Sequence, residues 1–578
     1  MTISILQQTF TSRYQIVLLT IFQFFCVFFL VIGFWPAWVI WLCLVLQLIF
    51  IFFQHEYFSL LLFIVNLPLY LTLPLTYFAI PEWRILLGFL FVVWVCREIK
   101  RNNSLESFSD LKFFKIARKI YADLHFFQFK WDKYLAIFFG VCVLSIFWAH
   151  YPSQAFKQIL FWANIYFFYL VFSNVVKTKE QVVESIKFGA FSLFFIVFLG
   201  YFQLVVTFFS GLGVFWVYWA SFVSKIYYGV ELSKVLLYSN SWFSYTGGRE
   251  DLRMFSIMPD SHSFAMLAVY AMTFLLPLTY LYRNKTQYRL SLQSFERDKM
   301  GKLSIFEKKE KRFGFYINYA LWSAIRFCGL AVILSGTRAI WVGLLVPLFL
   351  IVVGFFSNFL KGMAKKVFWP FVIIILFFAV SPLINQGLRF LRASRFEENF
   401  LDRFSSSFNL GEASNIGRMQ IWKSSLLYAY RHPLGTGLGN FAVTQSELYI
   451  SNTATNKPEL KSVLESHNSR YNLPQKYVTA HNLYLHILVE VSILGLVAFL
   501  WFWLVYFREL EKFVKGKRFT DNFFAFFVVE IGLTFLWFLA SAMFDVTFFN
   551  DKVLIYFFLS LALSGIIIKN YSSFEKNA

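Results

Sequence analysis

Three short polar stretches in an otherwise apolar chain carry side chains able to hold an anion and move a proton. The first is Leu334-Ser-Gly-Thr-Arg-Ala-Ile-Trp-Val-Gly343, where Arg338 interrupts two apolar runs of membrane-spanning length. An arginine there costs free energy unless it snorkels, lines a wet cavity or meets an anion. Ser335, Gly336 and Thr337 offer small polar neighbours and close backbone approach, as an anion pocket needs. A guanidinium stays charged at any relevant pH and grips phosphate oxygens in bidentate fashion, so a pyrophosphate at the membrane surface is a fitting ligand. The second stretch is Arg253-Met-Phe-Ser-Ile-Met-Pro-Asp260, whose Pro259 suits the first turn of the helix that follows. Arg249, in Gly247-Gly-Arg-Glu250, competes for the same anion role, while His262 reads as a hydrogen-bonded helix histidine. The third is Thr479-Ala-His-Asn-Leu-Tyr484. Neutral His481 is able to take a proton near neutral pH, with Asn482 beside it in support. A snorkelling Arg338 and a helix-capping His481 are the plainer alternatives.

Other candidates read more weakly. His432 and His467 show no zinc-ligand spacing, so neither a metal nor any other cofactor is expected. Glu490 and Glu530 fall inside apolar runs and require partners or protonation. Arg326, toward the inner half of its run, reads as a snorkelling side chain.

Such residues need a scaffold to bring them together. Of the 578 residues 58% are hydrophobic and 15% charged, a balance that excludes a soluble domain. Apolar runs repeatedly reach the ~20 residues that cross a bilayer as a helix, so the fold class is an all-α polytopic membrane protein. Spans are predicted near 14–35, 37–53, 57–80, 83–97, 134–149, 156–176, 186–211, 256–282, 315–335, 339–356, 367–384, 481–507, 522–543 and 553–569, about fourteen in all. The first run is too long for a signal-peptide core and reads as a retained helix. The net charge of +21 does not imply nucleic acid, because the basic residues gather in short connections: Arg97 to Lys133, Lys177 to Lys187, Arg283 to Arg312, Lys361 to Lys366 and Arg508 to Arg518. With about fourteen spans all of these fall on one side, which the positive-inside rule makes the cytoplasm, along with both termini. Cys26, Cys43, Cys96, Cys142 and Cys328 lie within or at the ends of apolar runs and suggest neither disulfide nor metal.

This topology divides the chain into N-terminal helices with a cytoplasmic loop, 1–130, and a membrane domain, 131–570. Two segments of that domain are left outside the membrane. Segment 212–255, rich in Trp, Tyr and Phe, suits a re-entrant or interfacial helix. Segment 385–480 is the largest polar insertion; Gly417 to Arg431 has helical spacing, and Ser451 to Gln475 is polar and turn-rich. The 283–314 stretch, with Glu307-Lys-Lys-Glu-Lys-Arg312, reads as a solvated loop near anionic lipid.

The order of the motifs carries a family resemblance. Arg253 precedes Pro259-Asp260, Ser335-Gly-Thr-Arg-Ala339 joins two spans, and Gly417-Arg418-Met-Gln-Ile-Trp422 leads to His432-Pro-Leu-Gly-Thr-Gly-Leu-Gly-Asn-Phe441. Ala480-His-Asn-Leu-Tyr-Leu485 and Glu490-Val-Ser-Ile-Leu-Gly495 follow. Together they resemble the O-antigen ligase and polymerase superfamily, bacterial membrane glycosyltransferases of the GT-C type, over about residues 130 to 570. The chain departs from the usual Ser-Arg-Gly at Thr337-Arg338-Ala339 and from Pro-Asn at Pro259-Asp260, keeping the arginines. The resemblance implies metal-independent transfer of a glycan from a polyprenyl (undecaprenyl) pyrophosphate donor to an acceptor hydroxyl on a lipid, glycan or protein, at the outer face of the cytoplasmic membrane. It implies that Arg253 and Arg338 bind the pyrophosphate and that His481 activates the acceptor, with Arg418, Asn482 and Arg249 in support. The alternative in another class is a lipid-linked-oligosaccharide flippase or other transporter, which predicts a charged pathway reaching both faces.

Overall fold

The computed structural model describes residues 2–75, 80–101, 126–238, 242–246, 249–300, 305–356, 413–442, 444, 479–515, 522–547 and 550–576. The expected span near 367–384, the stretch from Ser451 to Gln475 with His467, and the connection from Lys361 to Lys366 lie outside these residues.

Helices that bury small polar residues and expose aromatic ones make the architecture that of a protein solvated by lipid. Helix α7 (Lys179–Ser210) shows the pattern: Ser185, Gly189, Ser192, Gly200 and Gln203 face the interior, and Phe191, Phe198, Phe202 and Phe209 face outward. In a bilayer the outward face has no water to avoid, so close approach of small residues carries helix association. A Cβ on Gly189 would lie 2.7 Å from the ring of Phe274, which belongs to the helix that begins at Ser261.

Before α7 come α1 (Thr2–Val31), α2 (Val39–Phe53), α3 (Glu56–Asn66), α4 (Glu82–Arg101), α5 (Asp132–Leu144) and α6 (Pro152–Val175). After it follow α8 (Leu212–Tyr218), a π-helical turn Trp219–Val223, α9 (Ser224–Tyr238), the strands β1 (Phe243–Thr246) and β2 (Arg249–Leu252), α10 (Ser261–Met300) and α11 (Ile305–Leu334). The rest are α12 (Arg338–Gly343), α13 (Leu345–Phe356), α14 (Ala413–Arg431), α15 (Leu483–Val514), α16 (Phe523–Ser541) and α17 (Asp551–Lys576). Among the described residues eight helices are long and apolar enough to cross a membrane, which makes this a multi-pass membrane protein. Helices α10, α16 and α17 form its centre, buried along most of their apolar lengths.

Three local expectations change. The span expected over 57–80 is helical only to Asn66, followed by a 3-10 turn over Leu67–Leu69. Pro68 supplies no N–H for a continuing α-helical ladder, and the chain turns extended at Tyr70. The 283–314 stretch is not a loop but helix for most of its length, since α10 runs to Met300 and α11 begins at Ile305. Segment 212–255 contains the expected helix and also an antiparallel hairpin, β1 with β2, pairing Phe243 with Leu252 and Thr246 with Arg249.

Candidate active site

The two arginine stretches are joined by their backbones. Arg253 leaves β2 with its N–H donating to the Trp242 carbonyl (2.9 Å), and the next N–H, of Met254, donates to the carbonyl of Leu334 (3.1 Å) at the end of α11. From the other side the Thr337 hydroxyl donates to the Ser261 carbonyl (3.2 Å) at the start of α10. Arg338 therefore opens α12 directly beside the segment that carries Arg253. The break that exposes it is built by Gly336, at φ +63°, and by Ser335, whose hydroxyl donates to the Val332 carbonyl (2.6 Å). Trp537 of α16 holds α12 in place through an indole hydrogen bond to the Ile340 carbonyl (2.7 Å). Gly343 packs on Ser541 so closely that a Cβ would meet its backbone nitrogen at 2.9 Å.

His481 is fixed by the residues around it. Ala480 accepts a hydrogen bond from the indole of Trp422 (2.9 Å), one turn beyond Arg418 on α14. The N-cap of α15 is Asn482, whose Oδ1 accepts from the Leu485 N–H (3.0 Å); His481 is thus not the capping residue, and Asn482 supports the site through the helix start. Leu483 N–H donates to the Ala542 carbonyl (2.8 Å), locking α15 to the end of α16. Between these anchors His481 takes φ +46°, a left-handed conformation sparsely populated by residues with a Cβ and often found where a side chain is aimed for function. Its Nδ1 is buried and has no hydrogen-bond partner among the described residues, leaving that nitrogen for a ligand.

Charge gathers around this imidazole. Asp545, between α16 and α17, places Oδ2 3.4 Å from Nε2 of His262, and Asp260 places Oδ1 3.8 Å from the Nδ1 of the same ring. Asp260 also caps α10, its Oδ1 accepting from the Ser263 N–H (2.7 Å) and its Oδ2 from the Ser263 hydroxyl (2.7 Å). Burial pushes the Asp260 carboxyl above its usual range. Burial also lowers His481 to about 4; Asp545 opposes this, while Arg418, His262 and His486 add to it. Arg253 and Arg418 both act on His262 as well. Arg253, Arg418, Asp260, His262, His481 and Asp545 thus share one electrostatic environment, and Arg338 joins it through the backbone contacts above.

A glycine-rich loop ties α14 to this arrangement. Helix α15 breaks at Ser492 (φ +88°), and the freed carbonyls of Val489 and Glu490 accept the N–H groups of Thr436 and Gly437 (both 2.9 Å). Glu490 finds its partners there too, taking the Phe441 N–H on Oε1 (2.9 Å), with Nε2 of His486 at 3.4 Å. The loop can pass so close only because it is glycine: Gly437, at φ +91°, would place a Cβ 2.3 Å from that of Ala149. On the far side the Tyr151 N–H donates to Asn440 Oδ1 (2.8 Å).

Beneath the Arg338 break lies a cavity of about 360 Å³ between α10, α11 and α16, lined by Val269, Leu276, Ile325, Leu330 and Trp537, with Glu530 and Arg326 also on its wall. Among the described residues no group of three or more His, Cys, Asp or Glu side chains is arranged to hold a metal ion.

Residues 323–500 match the family model described as O-antigen ligase. The match supports membership of the O-antigen ligase and polymerase superfamily over this part of the chain. No curated protein matches it. The O-antigen ligase match takes in Arg338, Arg418, Asn482 and His481, and leaves Arg249, Arg253, His262 and Asp545 outside. Arg249 lies in β2 opposite Thr246. Sequence reasoning missed Asp545 and set His262 aside. The available signal for Asp545 was an acid at a span edge, in Ser541-Ala-Met-Phe-Asp545; its meaning depended on which helix start it faced.

Proposed function

We propose that this protein transfers a glycan from a polyprenyl-pyrophosphate carrier to an acceptor hydroxyl at the outer face of the cytoplasmic membrane, with both termini on the cytoplasmic side. The observation that carries the reading is the convergence of two arginine-bearing breaks on one edge with an imidazole that burial keeps neutral. In this mechanism Arg253 and Arg338 hold the pyrophosphate, with Arg418 nearby. The acceptor oxygen attacks the anomeric carbon, the bond from that carbon to the phosphate oxygen breaks, and the electron pair leaves on a pyrophosphate stabilised by fixed guanidinium groups. The acceptor proton passes to His481, and Asp545 offsets the imidazolium charge that forms. The cavity beside Trp537 supports a lipid-borne donor, since its wall is mostly apolar and the same tryptophan anchors α12.

The test is purified His481→Ala supplied with lipid-linked donor extracted from membranes. Transfer is expected to slow by on the order of 10² to 10⁴ with donor affinity nearly unchanged, the range for a positioned base. Near-normal turnover removes His481 from the reaction, and weakened donor binding makes it a phosphate ligand instead.

A further inference from the structure

A second group of cations lies apart from the arginines assigned to the donor. Arg84 is in the first turn of α4 and Lys552 in the first turn of α17. Lys552 is only 7% exposed, and its ammonium sits 5.5 Å from the centre of the Tyr227 ring. Among the described residues no carboxylate comes within ion-pair distance of that ammonium. Arg84 lies over Trp83 and Phe161, at 5.4 and 5.1 Å, and its Nε is buried without a hydrogen-bond partner among the described residues. Asp551 acts on both cations, but its oxygens are engaged: Oδ2 accepts the Trp83 indole (2.9 Å) and Oδ1 the Lys552 N–H (2.8 Å). Two cations share one carboxylate where protein and lipid exclude water, an imbalance that a bound anion would relieve.

The neighbouring atoms narrow the ligand. Asn164 of α6 donates to the Arg84 carbonyl (3.0 Å), while its Oδ1 is buried with no partner among the described residues. The site therefore offers guanidinium and ammonium donors together with one acceptor, inside a ring of aromatic side chains. Helices α4 and α17 both begin there and add the partial positive charge of their first turns. Tyr228 places the cluster at the same membrane edge as His481: its hydroxyl donates to the Ile257 carbonyl (2.6 Å), and it lies within electrostatic reach of both Asp260 and Asp551. The family match over 323–500 includes none of these residues.

We propose that Arg84, Lys552 and Asn164 form a second binding site, for the phosphate headgroup of a membrane-embedded amphiphile in the leaflet facing the His481 cluster. Arg84 and Lys552 bind phosphate oxygens, and Asn164 Oδ1 accepts a hydroxyl of the phosphate or of the group it carries. A phospholipid of the bulk leaflet and a phosphate-bearing lipid acceptor supply the same chemistry. The site is read by binding, so it stands or falls independently of the transfer reaction.

The experiment uses the full-length protein in mild detergent, titrated with phosphatidic acid and phosphatidylcholine of equal chain length and followed by native mass spectrometry. Wild type should prefer phosphatidic acid by about tenfold or more, and Lys552→Gln and Arg84→Gln should each lower that preference by about tenfold. Lys133→Gln, at an exposed cation in the first turn of α5, should keep it. Thermal stabilisation of the wild type by phosphatidic acid over phosphatidylcholine gives the same reading without relying on a variant to fold. The mass of the lipid that copurifies from native membranes identifies the source: a phospholipid mass means the bulk leaflet, and a glycan-bearing mass means the acceptor. Equal retention of the two probes by the wild type, or an unchanged preference in Lys552→Gln, overturns the proposal.

Discussion

The acid limb of the activity profile should lie unusually low, and two substitutions of neighbouring charges should move it in opposite directions. A base must be neutral to accept a proton, so activity that depends on His481 is lost as pH falls through its pKa of about 4. Lowering the imidazole from 6.5 to about 4 corresponds to about 3.4 kcal/mol against the charged ring. Burial is the largest cause, and the flanking charges modulate it. A unit charge about 8 Å away at an effective dielectric of about 20 is worth about 2 kcal/mol, which partial solvent access reduces to about 0.5–1 pH unit. Arg418→Gln removes a charge that lowers His481, so the limb should rise by about that amount toward neutrality; Asp545→Asn removes the charge that opposes it, so the limb should fall. The assay is kcat/KM for glycan transfer from extracted lipid-linked donor between about pH 3.5 and 8, with activity recovered on return to neutral pH as the control for unfolding. A wild-type limb near 6.5, or movement of both variants in the same direction, would refute the assignment of His481 as a buried base flanked by these two charges.

Three further outcomes follow from the same geometry. Arg338→Lys should lose most of the transfer rate, because an ammonium cannot reproduce the two parallel hydrogen bonds of a guanidinium; full activity in both Arg338→Lys and Arg338→Ala would reduce it to a membrane anchor. Trp422→Phe removes the indole hydrogen bond to Ala480, worth about 1 kcal/mol, and should lower kcat by about tenfold through misplacement of His481 while leaving donor KM unchanged. Gly437→Ala sets a Cβ against Ala149 at a positive φ and should destabilise the protein by about 2–4 kcal/mol, read as a loss of thermal stability; Gly417→Ala, with nothing within 4 Å of the new Cβ, is the matched control and should be neutral or slightly stabilising.

Much of the candidate site was legible because membrane chemistry makes polar residues conspicuous. Arg338 and His481 stood out at the edges of apolar runs, where a bilayer penalises them unless they have work to do. The family motifs named Arg253 and Arg418 as well, and the arrangement brings both within reach of His262. Asp545 was not legible, since a single carboxylate near a span end resembles an ordinary solvated residue until the facing helix is known. Glu490 posed the reverse problem: it looked unpartnered in sequence, yet its Oε1 takes the Phe441 N–H beside His486, while its buried Oε2 has no hydrogen-bond partner among the described residues.

Composition and hydrophobic run length alone determined that this is a multi-pass helical membrane protein, because a bilayer leaves few ways to satisfy a spanning backbone. They also determined which side chains needed explaining. Tertiary structure alone decided which breaks meet, for the Met254 to Leu334 and Thr337 to Ser261 contacts join residues about 80 positions apart. It decided the state of His481 as well, since an imidazole has the same formula in water and in a protein. Its proton affinity is set by the burial and charges that folding places around it. The buried cations Arg84 and Lys552 make the same point: hundreds of residues apart in the chain, they become neighbours of one carboxylate only when α4 and α17 begin at the same membrane edge.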